Sequence, residues 1–81
     1  MSRIIYKLRD DLNTFILKKY SLELEIRDYI RYYIIARRQQ ARKRFIEHIY
    51  ELKLERERYC ILIDYLSNIL NPFLNTGDNN D

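Results

Sequence analysis

The sequence predicts an all-α protein: long amphipathic helices packed as a helical hairpin or a coiled-coil-like bundle, completed by oligomerisation. Three observations predict it. Apolar residues recur at steps of three and four along most of the chain, the period of a helix face that packs on another helix. Turn-forming residues are almost absent, with Gly77 the only glycine and Pro72 the only proline among 81 residues. Charges of both signs, 33% of the chain, fall at helical spacings between the apolar rows.

The first row is Ile5, Leu8, Leu12, Phe15, Leu22, Ile26, Tyr29, Tyr33 and Ala36, with Lys19 as its one gap. Asn13-Thr14 and Tyr20-Ser21 interrupt it weakly, because Asn, Thr and Ser compete with the backbone for hydrogen bonds. Ser21 followed by LELE suits a helix N-cap, with Glu23 and Glu25 near the positive dipole end. The reading is therefore a helix over about 3–19 and a second starting at about 22. The second row is Phe45, Ile49, Leu52, Tyr59, Ile63, Leu66, Leu70 and Phe73, with Arg56 as its gap. Asn71-Pro72 predicts a stop, since the residue before proline avoids helical angles. Residues 1–71 then form one helical domain and 72–81 a polar flexible tail.

The two rows are out of phase, and the slip falls within ARRQQARKRF, residues 36–45. Either the chain turns near 38–43 and the halves pack antiparallel, or one helix runs over about 22–70 and its sticky face rotates. Ala, Arg, Gln and Lys are strong helix formers, so propensity favours the unbroken helix. Such a rod, about 73 Å long, cannot bury its apolar side chains alone. In either case the expected contact surface between helices, and between copies, is Ile26, Tyr29, Tyr33, Phe45, Ile49, Leu52, Tyr59, Ile63, Leu66 and Leu70. The eight tyrosines suit interfaces that are only partly dry. Pairs such as Glu23–Arg27, Asp28–Arg31, Lys43–Glu47 and Glu55–Arg58 read as a solvated surface.

Composition narrows function. Cys60 is the lone cysteine and His48 the lone histidine, so neither a disulfide framework nor a zinc site is expected. A single thiol fits a reducing intracellular compartment, with the cytoplasm favoured. No phosphate-cradling glycine loop or nucleophile turn is present, and the expectation is a protein without catalysis, metal, cofactor or small-molecule substrate. The N-terminal MSRIIYKLRDDL lacks the apolar core of a signal peptide. The longest apolar runs, residues 32–36 and 59–63, are far short of a membrane span. The expected function is a helical scaffold, adaptor or structural subunit that self-associates, a dimer being favoured, or that binds a helical partner protein.

The alternative is nucleic-acid binding through Arg37, Arg38, Arg42, Lys43 and Arg44, a basic patch able to hold phosphates. A membrane surface is the less favoured anionic partner, because acids are interspersed outside residues 37–44. The basic run followed by Leu52, Tyr59, Leu66 and Phe73 at intervals of seven resembles the layout of basic leucine-zipper proteins. That resemblance implies a basic helix on DNA and a dimerising zipper. The chain lacks the base-reading Asn of that family between Ile30 and Phe45. Near the N-terminus, Ile5-Tyr6-Lys7 with Arg9 and Phe15 is similar to the Leu-Tyr-Arg motif of small mitochondrial adaptor proteins, matching identically only at Tyr6. That likeness implies three helices and a role in respiratory-complex assembly or iron–sulfur delivery.

Overall fold

A computed structural model describes residues 2–79, with side chains described over residues 3–73. Two helices account for nearly all of them, α1 (Ser2–Ile35) and α2 (Gln39–Asn79). They lie antiparallel and form a rod of 61 × 17 × 16 Å. The all-α helical hairpin is thus the observed architecture.

The heptad rows form its seam. Every member of the first row, from Ile5 to Ala36, is buried or half-buried. So is every member of the second except Phe73, which is exposed at the open end. Ile26, Ile49 and Leu52 make the central cluster, with Leu22, Tyr29 and Tyr33 packed against it. Leu66 and Leu70 extend the buried line towards the open end. Two helices at helix–helix spacing can shield one stripe on each, and that is what these rows supply.

Contacts between the helices fix the register. The Phe15 and Tyr59 rings lie 5.8 Å apart, those of Tyr29 and Phe45 6.1 Å apart, and the Arg42 guanidinium sits 4.7 Å from the Tyr33 ring centroid. Stepping along the seam from these anchors places Leu22 level with Leu52 and Ile26 level with Ile49. It also places Lys19 level with Arg56. The single gaps in the two rows therefore coincide, giving one cationic layer in an otherwise apolar seam. Lys19 is half-buried and reaches Glu23 at 4.0 Å. Arg56 Nε is buried and has no hydrogen-bond partner.

Several expectations are corrected. The chain does not run through ARRQQARKRF as one helix; it turns at residues 36–38, at the upstream edge of the 38–43 window. No break occurs at Tyr20-Ser21, and α1 passes straight through. Thr14 Oγ1 donates to the Asp10 carbonyl at 2.9 Å, so its hydroxyl is satisfied within the helix. The Lys19–Glu23 pair bridges the expected break. The stop at Asn71-Pro72 is also absent: the α2 backbone continues to Asn79 with Pro72 inside it. Leu70, only 1% exposed, anchors the turn just before that proline. Of the expected tail, residues 72–79 are helical, and Asn80 and Asp81 lie outside the described residues.

The four expected surface pairs do not close within 4 Å. Glu23 turns instead to Lys19 and Asp28 to Arg27, at 4.0 and 3.9 Å. Such pairs gain little and cost side-chain entropy, so the choice among partners is weakly determined.

Candidate functional surface: the basic turn

The turn is built without glycine. Among the described residues no non-glycine residue has positive φ. The Ala36 N–H still donates to the Tyr32 carbonyl at 3.0 Å, completing α1. The Arg38 carbonyl already accepts from the Arg42 N–H at 3.0 Å, opening α2. Little more than Arg37 is left outside a helical hydrogen-bond pattern. The change of direction is held by side chains behind it. Tyr29 packs edge-on to Tyr32 and to His48, with centroids 5.3 and 4.4 Å apart, and Phe45 lies against both tyrosines. Arg42 closes the far side over the Tyr33 ring, a cation–π contact that joins the two helices.

This geometry gathers the five predicted phosphate-binding residues. Arg37, Arg38, Arg42, Lys43 and Arg44 are all exposed, and all lie at one end of the rod. Among the described residues none of them forms an ion pair. Residues 27–46 hold seven Lys or Arg and a single acid, Asp28, a net charge of +6. Because the chain totals +3, the remaining residues carry −3. The local field at the turn is therefore above what the net charge suggests.

Two grooves flank the turn. On one side Tyr32, Ile35, Ala36, Ala41 and Phe45, with Arg37 and Arg38, line a groove of about 360 Å³. On the other, Tyr33, Gln39, Gln40, Arg42, Lys43 and Ile46 line one of about 450 Å³. Beside them Ile34 and Ile35 point into solvent at 68% and 73% exposure, among the most exposed apolar side chains of the molecule. Sequence reading missed this pair, because the heptad rows single out the residues of the seam and neither isoleucine belongs to one. The signal that would have found them is their position outside both seams, next to the slip in phase.

The ten residues expected to join helices do so within the chain. Ile26, Ile49, Leu52, Leu66 and Leu70 are buried, and Tyr29, Tyr33, Phe45, Tyr59 and Ile63 are half-buried. The five half-buried ones keep part of their surface outside the seam. Absorption of the ten within the chain also changes the zipper likeness: Leu52 and Leu66 are buried in this hairpin, and the basic run straddles the turn and the first residues of α2 rather than forming a free helical arm. The described residues form two helices, against the three implied by the mitochondrial adaptor likeness. His48 Nδ1 lies 3.8 Å from Glu51. Among the described residues no three of His, Cys, Asp and Glu gather closely enough to hold a metal ion. No described helix is long and apolar enough to cross a membrane. No family model, curated protein or solved structure matches the chain.

Proposed function

We propose that the protein is a non-enzymatic helical interaction module, a scaffold, adaptor or structural subunit that self-associates through the flanks of its hairpin. The observation that carries this reading is the imbalance of apolar surface. Five apolar side chains are buried between the helices, while sixteen large ones stay exposed among the described residues. Scattered apolar residues are ordinary on a surface, but here they recur along the rod. Leu54 and Ile61 lie seven apart on α2 at 48% and 63% exposure, and Ile16 and Tyr20 share one side of α1 at 44% and 60%. A two-helix rod offers each helix one partner; a second rod offers more. Four-helix packing is the usual way such hairpins bury the remaining rows.

Sedimentation velocity at tens of micromolar protein tests the proposal. The expected result is a species of at least two chains that dissociates on dilution. A monomer with the frictional shape of a single 61 Å rod at every concentration overturns it.

A further inference from the structure

The hairpin turn combines two features that a straight helix would have kept apart. It gathers a net +6 over residues 27–46 at one tip of the rod, and it leaves Ile34 and Ile35 beside those cations with most of their surface in water. We propose that this tip docks onto an anionic lipid surface, with Ile34 and Ile35 entering the interface and Arg37, Arg38, Lys43 and Arg44 meeting the headgroups. The inference does not rest on self-association, which uses the flanks of the rod rather than its tip.

The chemistry of the tip selects among anionic partners. A nucleic-acid backbone would engage the arginines but offers nothing to two adjacent aliphatic side chains. A lipid interface takes both, since it places negative charge directly above hydrocarbon. Cations near an anionic leaflet add attraction in proportion to their number, about fivefold in affinity for each Lys or Arg at the surface. Apolar side chains that enter the acyl boundary add the part of binding that salt does not screen. The adjoining groove of Tyr32, Ile35, Ala36, Ala41 and Phe45 extends the apolar contact, and Tyr32 brings a hydroxyl suited to the headgroup level. Tyr32 is 45% exposed and therefore available. The acids that argue against a membrane partner lie outside residues 37–44, away from the cations at the tip. The turn also leaves Ile34 and Ile35 outside the seam.

The test is sedimentation of the full chain with vesicles of phosphatidylcholine alone and of phosphatidylcholine with phosphatidylserine, beside a duplex RNA oligonucleotide as competitor. Binding to the anionic vesicles and not the neutral ones is expected. Arg37→Gln with Arg38→Gln should weaken it about 25-fold, following the same per-charge factor. Ile34→Ser with Ile35→Ser should weaken it about tenfold or more at unchanged charge, with helicity and oligomeric state preserved. The arginine pair, exposed in the turn, keeps the test decisive if the isoleucine variant misfolds. Three results would overturn the proposal: no vesicle binding, vesicle binding indifferent to the isoleucines, or RNA displacing the protein from vesicles while binding the isoleucine variant as it binds the parent. Loss of self-association in the isoleucine variant would also overturn it, by assigning those side chains to an interface between copies.

Discussion

Replacing both members of the cationic layer, Lys19→Leu with Arg56→Leu, should stabilise the hairpin. The register places them at one level, between the Phe15/Tyr59 contact and the Leu22/Leu52 level. Full burial of a leucine contributes about 1.5–3 kcal/mol; the Lys19 side chain is 38% exposed, so a little over half of that is realised there, and the half-buried Arg56 site also realises a partial share. Relief of the unpartnered Arg56 Nε adds up to about 1–3 kcal/mol. The lost Lys19–Glu23 pair is exposed and offsets only a few tenths of a kcal/mol. The net expectation is about 2–6 kcal/mol, equivalent to a rise in Tm of about 10 °C or more for a domain of this size. Urea titration and thermal melts followed by circular dichroism, at a protein concentration where the chain is monomeric, would measure it. A double variant less stable than the parent would refute the register. A gain appearing only in the oligomer would show that the layer belongs to a contact between copies.

Other perturbations probe different parts of the structure. Leu70→Ala, at the most buried side chain, should cost about 2–5 kcal/mol in the same denaturation assay. Phe73→Ala, in the same row but 46% exposed, should cost well under half as much. Arg42→Ala should remove the cation–π contact with Tyr33, costing about 0.5–1 kcal/mol and loosening the turn, readable as faster amide exchange at residues 33–42. Ser21→Ala should leave stability within about 0.5 kcal/mol, since α1 runs through that position and no cap is lost; a loss near 1 kcal/mol would restore the N-cap reading.

Much of the fold is legible in the sequence because the apolar period is long and consistent. Ile5 to Ala36 and Ile49 to Leu70 lie on the seam where the three-four spacing puts them, and even Lys19 and Arg56, which break the rows, occupy seam positions. The slip in phase also marks the region where the chain reverses. Propensity misleads on how it reverses. Arg37 and Arg38 lack the turn chemistry of glycine or asparagine, yet so few residues leave the helical pattern that none needs positive φ. The aromatic packing of Tyr29, Tyr32, Phe45 and His48 that holds the turn is a tertiary effect between residues up to nineteen positions apart, outside the reach of a local rule. Ser21 fails for a related reason, since the seam on either side holds the backbone helical where local preference would end it. At Pro72 the preceding turn is packed, through Leu70, and the helical backbone beyond it has no packing explanation.

The basic segment was legible as a cluster but not as a tip. Its five cations keep their neighbours in either topology, whereas their gathering with Ile34 and Ile35 at one end of a rod depends on the turn. Both proposals therefore depend on the hairpin more than on the charges, and the hairpin is the feature to measure. Paired spin labels at Asn13→Cys and Asp64→Cys, in a Cys60→Ser background and diluted with unlabelled chain, report it directly. Both sites are exposed and lie on opposite helices near the same level of the rod. With helices about 8–10 Å apart, the account predicts a label separation below about 25 Å that persists on dilution. A separation near 75 Å, as one unbroken helix over those 51 residues would give at about 1.5 Å per residue, would contradict it.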